Sequence, residues 1–237
     1  MSAPVVGRVA ALWRYPVKSL GGEQIDVAAC AARGVDGDRR WAVRGRDGKL
    51  GSGKTTRRFR RMPGLLMITA RTGADGAVTL QFPDGSAGHA GDPATAVRVG
   101  EAVGEPVDLV EETDTSHYDA APLHLLTTSS LAWLRDRRPA DRVDVRRFRP
   151  NLLIETGSEG RPEDGWVGRR LRIGEVVVGV HRDTERCVMV TMAQPDLPFS
   201  PALLGDLAGT SDSRFGVYGR VEQEGAVRVG DHVTLVG

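Results

Sequence analysis

The chain is poor in cysteine: Cys30 and Cys187 are the only two in 237 residues, and they lie far apart. Two thiols cannot build a disulfide framework or a four-cysteine zinc site. An iron–sulfur cluster with the usual four thiolates is excluded for the same reason. Long apolar runs are missing too. No stretch approaches 18 uncharged apolar residues, and Arg8 and Arg14 interrupt Val5–Val17, so neither a membrane-spanning helix nor a signal pattern is expected. Neither charge is in excess: 32 basic and 31 acidic residues give +1, which offers no nucleic acid or membrane surface as a main partner. His89, His117, His124, His181 and His232 show no metal spacing, and neither a Gly-x-Ser-x-Gly elbow nor a His-Glu-x-x-His motif occurs. These absences leave a soluble, reduced, cytoplasmic protein with little support for ordinary hydrolase chemistry.

Glycine, by contrast, is abundant. Thirty glycines imply many tight turns, and the expected fold class is mainly β with a few helices. Val9, Ala11, Trp13 and Tyr15 alternate as one face of a first strand. Hairpins are predicted around Arg46-Asp47-Gly48 and Gly73-Ala74-Asp75-Gly76, the second between strands over Leu65–Arg71 and Ala77–Phe82, with strands continuing over Ala96–Val99 and Pro106–Glu111 and no helix in this half. The polar stretch Glu111–Ala120 divides the chain into units 1–115 and 116–237. In the second unit a helix begins at Thr128 or Ser129 and stops before Pro139. Strands follow over Asn151–Glu155, Arg169–Ile173, Glu175–His181 and Val188–Met192, then a short helix over Pro201–Ala208. Arg214–Gln223, Ala226–Val229 and His232–Val236 complete the set.

Gly48-Lys49-Leu50-Gly51-Ser52-Gly53-Lys54-Thr55 satisfies the Walker A spelling. A working phosphate loop needs a buried strand before it and a long helix after it. Here the preceding strand carries Arg44 and Arg46, and the basic segment after it meets Pro63 within two turns. The glycines are expected to serve a hairpin tip.

Chemistry-bearing residues cluster towards the C-terminus. Arg147-Phe148-Arg149-Pro150-Asn151 brings guanidinium and carboxamide groups to the start of an apolar strand, a donor set suited to phosphate or a heterocycle's oxygens. Cys187 follows Arg186, with Arg182 nearby, and positive charge favours the thiolate, a soft metal ligand. Cys30, in Ala-Ala-Cys-Ala-Ala, is structural. Lys18-Ser19 could hold a phosphate, and Arg39 follows Asp38 in a further basic turn. Taken singly, each motif also suits a solvated basic turn, a buried thiol or a plain helix cap.

In order, these pieces resemble the MOSC domain with its accompanying N-terminal β-barrel domain, the module shared by molybdenum-cofactor sulfurases and amidoxime-reducing molybdenum proteins. The resemblance rests on Arg14-Tyr15-Pro16-Val17-Lys18-Ser19, Gly37-Asp38-Arg39-Arg40-Trp41, Arg149-Pro150-Asn151, Arg186-Cys187, Phe215-Gly216-Val217-Tyr218 and Val229-Gly230-Asp231. It implies an N-terminal β-barrel-like domain, a C-terminal β-barrel and a molybdenum cofactor (molybdopterin) between them. By the same resemblance Cys187 would bind the metal and act in catalysis. Lys18, Ser19, Arg39, Arg149 and Asn151, joined by Thr128 or Ser129, would hold the pterin and its phosphate. Pyridoxal phosphate binding is a further association of this group of proteins.

The implied activity is reduction of N-hydroxylated or N-oxide small molecules. Since the chain has no iron–sulfur centre and no flavin or NAD fingerprint, electrons would come from a separate protein. Two alternatives remain open at this level: a sulfur carrier with a Cys187 persulfide, and a non-enzymatic carrier of the cofactor.

Overall fold

The protein is described by a computed structural model covering residues 4–139 and 142–236. Eight strands make its largest sheet: β1 Val5–Arg14, β2 Glu23–Ile25, β3 Leu123–Thr127, β4 Leu152–Glu155, β5 Arg170–Ile173, β6 Val176–Glu185, β7 Arg214–Gln223 and β8 His232–Val236. Their spatial order is β4-β3-β7-β6-β5-β8-β1-β2, and β4 also pairs with β1, which closes seven of them into a barrel. Among the described residues its only parallel pair is β3 with β4. Parallel neighbours need a crossover, and the helix α2, Thr128–Arg137, lies within the one between them. Inward-facing Leu125, Ile154, Leu171, Val178, Val217 and Val233 fill the barrel. The expected class, mainly β with a few helices, is the class found.

The first strand departs from simple alternation. Its register with β4 shifts between Val9 and Ala11, the signature of a bulge. One extra residue reverses the face of everything beyond it. Val9 and Leu12 therefore enter the barrel core, while Ala11, Trp13 and Tyr15 form a separate cluster against Leu153. The single face expected for Val9, Ala11, Trp13 and Tyr15 is thus divided in two.

The rest of the N-terminal half packs around Val17, Leu20, Val43, Met62, Ile68 and Leu80. Trp41–Gly45 pairs with Leu50–Ser52 and with Val107–Glu111, and Thr69–Thr72, Val78–Gln81 and Ala87–His89 form a meander. Val27–Ala31 reaches across to pair with Gly225–Arg228. Cys30, on that strand, is buried in the barrel core, and burial pushes its thiol pKa up to about 12. It is an inert structural thiol.

Three local expectations are corrected. Where a strand was read at Ala96–Val99, the structure has a helix, α1, over Pro93–Val103. Pro93 stands in its first turn and Gly104 ends it at φ 80°, the usual proline-first, glycine-last asymmetry. The Val97/Val99 alternation is misleading, because Thr95 and Val99, four apart, share the buried face. Val188–Thr191 is a 3-10 turn and not a strand. The fully buried Arg147 holds it coiled by donating to the carbonyls of Val190 (3.3 Å), Met192 (3.2 Å) and Pro198 (2.7 Å). Leu65–Met67 is likewise a 3-10 turn, with the strand starting at Thr69. A third helix, α3, spans Ala202–Ser211.

The Walker-like segment has no helix behind it. Gly48 sits in the hairpin turn at φ 77°, and the chain bends from 53 to 58 before Phe59–Arg61 pairs alongside Leu50–Ser52. Its other glycines serve close packing. A Cβ on Gly53 would stand 2.2 Å from Met189 Cγ, and one on Gly51 would stand 2.7 Å from Leu65 Cδ1. Gly53 thereby lets the N-terminal half press against the segment that follows Cys187. We expect Gly53→Ala to destabilise the fold by about 1–3 kcal/mol through overpacking, read by urea unfolding. Gly91→Ala, whose added carbon meets nothing within 4 Å, should stay within about 0.5 kcal/mol of the parent.

Candidate functional site

A cavity of about 610 Å³ opens between the two halves. Lys18, Ser19, Arg39 and Lys54 reach it from the N-terminal half; Asp119 comes from the connecting segment, and His124, Arg149, Asn151, Arg186, Cys187 and Tyr218 from the barrel. Four lining residues have left-handed backbone without being glycine: Ser19 (φ 66°), Arg39 (52°), Arg149 (56°) and Asp212 (54°). Each such position costs about 1–3 kcal/mol, and strain of this kind concentrates where side chains must be aimed. Local hydrogen bonds hold the turns. Ser19 Oγ donates to Gly51 O (3.0 Å), Arg39 N donates to Tyr15 O (2.7 Å), and Tyr15 N donates to Asp38 Oδ1 (2.8 Å).

Of the cations in the cavity wall, Lys18, Arg147 and Arg149 are buried and Arg39 and Arg186 half-buried, and they are balanced unequally. Lys18 Nζ pairs with Asp119 and lies 4.3 Å from the centre of the Phe59 ring. Burial outweighs that pairing and lowers its pKa to about 8. Arg39 is also penalised by burial, yet its ion pair with Asp38 wins and raises its pKa. Among the described residues Arg149 has no carboxylate partner within salt-bridge distance. It stacks on Tyr15 at 4.2 Å, donates through Nη1 to Leu20 O, and leaves Nη2 without an acceptor. Burial lowers its pKa to about 10. Arg186 donates through Nη2 to Phe148 O (2.7 Å), and its Nη1 meets His124 Nε2 at 3.4 Å. Its Nε has no acceptor, and burial lowers its pKa as well. His124 is held well below the ordinary histidine range by burial, then by Arg186, so a neutral ring faces the guanidinium.

Lys18, Ser19, Arg39, Arg149, Asn151 and Cys187 all line this cavity, whereas Thr128 and Ser129 do not. The turn that opens α2 faces another way: Ser129 Oγ donates to Ser158 O (2.5 Å), and Thr128 Oγ1 accepts from Thr156 N (3.4 Å). The cap itself is Thr127, whose hydroxyl accepts from Ser130 N (3.1 Å). Glu163, buried and bonded by Thr127 and Ser130 at 2.6 Å each, already supplies a carboxylate beside this end of the helix. Asn151 is partly committed too. Its Oδ1 accepts from His124 N (3.2 Å) and its Nδ2 donates to Trp13 O (3.3 Å), which ties β1 to β3.

Lys54, Asp119, His124 and Tyr218 were not anticipated as cavity residues. For His124 there was a signal: a lone imidazole inside the apolar run Leu123–Leu126. Lys54 was set aside together with the Walker spelling. Among the described residues no group of three or more His, Cys, Asp or Glu side chains could hold a metal ion. A metal here would need most of its ligands from a bound molecule.

Barrel, cavity and single thiol define a class: a β-barrel protein with a cationic site between two units. The family models concur. The MOSC domain matches residues 112–234, and the MOSC N-terminal beta barrel domain matches 6–120. The chain belongs to the MOSC domain family. It is 27% identical over 290 residues to mitochondrial amidoxime reducing component 2 of Bos taurus, covering 96% of this chain and 83% of that protein. It is 26% identical over 287 residues to mitochondrial amidoxime-reducing component 1 of Homo sapiens, covering 98% and 84%. The crystal structure of the YUAD protein from Bacillus subtilis superposes with a TM-score of 0.52 at 13% identity, covering 97% of this chain and 94% of that one, which shows the shared fold. Among the described residues no helix is long and apolar enough to cross a membrane.

The Lys18 pKa has a consequence for pH. Below about pH 8 the ammonium is charged; above it the folded protein loses that charge while the unfolded chain keeps it up to the ordinary value of 10.5. The unfolded state then binds the extra proton, so this group makes stability rise between those values. Over the same range the cavity loses a positive charge. Sulfate, whose own charge is constant there, should bind more weakly as pH passes 8. Calorimetry should show this fall, and Lys18→Met should flatten it.

Proposed function

We propose that the cavity holds a molybdenum cofactor and that the chain reduces N-hydroxylated or N-oxide small molecules with electrons from a separate protein. The observation that carries this reading is a pair of guanidiniums, Arg149 buried and Arg186 half-buried, each with a buried, unpartnered nitrogen in a wall that also carries Cys187. Unsatisfied buried donors are costly, and anionic oxygens are their natural acceptors.

The donor set fits molybdopterin. Lys18, Ser19, Arg39 and Arg149 would hold its phosphate and pterin oxygens, with Asn151 offering its second amide hydrogen. Cys187, only partly buried, would give the metal its protein ligand as a thiolate. Thr128 and Ser129 have no part in this arrangement, and pyridoxal phosphate is not needed by it. When bound, the cofactor supplies two-electron oxygen-atom chemistry. In the net reaction the N–O bond breaks, two electrons and two protons enter, and amine and water leave. The chain's own contribution is to hold an anionic group in a cationic wall and to limit solvent around it. With two cysteines, neither of them in a cluster motif, it needs an external electron donor.

The relatives named above as amidoxime-reducing components support the substrate class, and a cytoplasmic location completes the proposal. Metal and pterin content of the wild type beside Cys187→Ser tests it. Near-equimolar molybdenum and pterin in the wild type, with pterin retained but amidoxime turnover lost in Cys187→Ser, is the expected result. Absence of molybdenum from both proteins would sink the reading. Arg149→Met should lower pterin retention by about tenfold or more, the loss of a charged hydrogen-bond donor.

A further inference from the structure

Between residues 49 and 61 the chain carries six cations, Lys49, Lys54, Arg57, Arg58, Arg60 and Arg61, and no carboxylate. The whole sequence balances 32 basic against 31 acidic residues, so this excess is local. Arg60 is neutralised by Asp47 (3.4 Å) and Glu105 (2.8 Å). Among the described residues none of the other five has a carboxylate within salt-bridge distance. Lys54 feels Asp119 only at longer range, and that carboxylate is already paired with Lys18. Arg57, Arg58 and Arg61 are exposed, and Lys49 and Lys54 half-buried.

These cations belong to one surface. Leu50 N donates to Arg58 O (3.1 Å), which sets Lys49 beside the basic run, and Phe59–Arg61 pairs with Leu50–Ser52 at the edge of its sheet. An edge strand is commonly guarded by charge. Only Arg60 and Arg61 lie on this strand, however, while Lys54, Arg57 and Arg58 precede it, so edge protection does not explain them. The patch also adjoins the cavity. Lys54 lines it, and the buried Phe59 ring contacts both Lys18 in its wall (4.3 Å) and Arg58 at the surface (5.2 Å). Unpaired surface cations steer oppositely charged partners, and a patch that starts in the cavity wall brings such a partner to the cavity itself. Redox proteins meet through small interfaces, where complementary charge sets orientation.

Resting on the reading of the cavity as a reductase site fed by a separate protein, we propose that Lys49, Lys54, Arg57, Arg58 and Arg61 form the docking surface for that donor, a small redox protein with an acidic face around its electron-carrying group. For each N–O bond reduced the donor gives up two electrons, in one delivery or two, and leaves oxidised. Two probes test the surface on the full chain: an acidic flavodoxin and an acidic plant-type ferredoxin, each followed by the anisotropy of an attached dye. At least one should bind, and raising salt from about 0.05 M to about 0.3 M should weaken it about tenfold or more. Arg57→Glu with Arg61→Glu should weaken it about tenfold or more at low salt. Arg169→Glu with Arg172→Glu makes the same change of charge at exposed arginines on and beside β5, and should alter binding by less than about twofold. In the wild type, carbodiimide coupling should join probe carboxylates to Lys49 or Lys54, the chain's other lysine being the buried Lys18. The coupling needs no variant, so the test survives a doubly substituted protein that does not fold.

Failure of both probes to bind, equal weakening by the two pairs of substitutions, or coupling confined to the N-terminal amine overturns the proposal. Binding of phosphatidylserine vesicles in place of the probes, lost in Arg57→Glu with Arg61→Glu, would make the patch a membrane surface and overturn it equally. Amidoxime turnover driven by reduced methyl viologen, a dye that needs no docking surface, reads the cavity separately and should survive Arg57→Glu with Arg61→Glu. Its loss in that variant would place Arg57 and Arg61 in the reaction and overturn the proposal. Its absence from the wild type, with probe binding intact, would count against the reductase reading and not against the patch.

Discussion

Positive charge is hard to bury, and this molecule gathers the buried Lys18 and Arg149 with the half-buried Arg39 and Arg186 around one cavity. Much of the surrounding structure can be understood as the means of keeping those charges there. Asp38 both pairs with Arg39 and fixes the backbone of Tyr15. Tyr15 in turn offers its ring to Arg149 and Arg39, so one aromatic ring serves two guanidiniums. Asp119, from the segment joining the halves, neutralises Lys18. The left-handed turns at Ser19, Arg39 and Arg149 are where strain is accepted to aim these side chains. Arg149 and Arg186 are the two whose accounts stay open, and they give the cavity its anion-seeking character.

That arrangement depends on a barrel that is not confined to one half of the chain. β1 closes it, and the bulge at Val9–Ala11 turns Trp13 and Tyr15 away from the barrel interior to pack against Val145 and Leu153. Without the extra residue, Tyr15 would follow Val9 into the core and Arg149 would lose its aromatic support. The glycines of the Walker-like loop then let the N-terminal half approach Met189, just beyond the thiol.

The β architecture was legible because glycine turns and period-two alternation are local signals. α1 was not, because valine alternation across Val97 and Val99 competed with the caps at Pro93 and Gly104. The coil at Val188–Thr191 could not be read locally at all: its cause is Arg147, remote in sequence. The same limit applies to the site. Lys18, Arg39 and Cys187 stood out only as parts of an ordered family pattern, since each alone suits a surface turn or a buried thiol. Thr128 and Ser129 were misplaced because a helix cap is spelled alike whether the anion beside it is a ligand or, as here, the protein's own Glu163. Asp119 and Lys54 acquire meaning only through contacts made across the chain.

Closure of the barrel also sets when the molecule can finish folding. β1 pairs with β8, the register joining Arg8 to His232. A nascent chain therefore leaves the Val5–Arg8 end of its first strand without its β8 partner until residue 232 has been made. Such pairing over nearly the whole chain gives a high contact order and slow folding. An edge left open for that long is where mispairing between chains starts, so production of this protein should respond more to the rate of synthesis and to chaperone capacity than to the stability of the finished barrel.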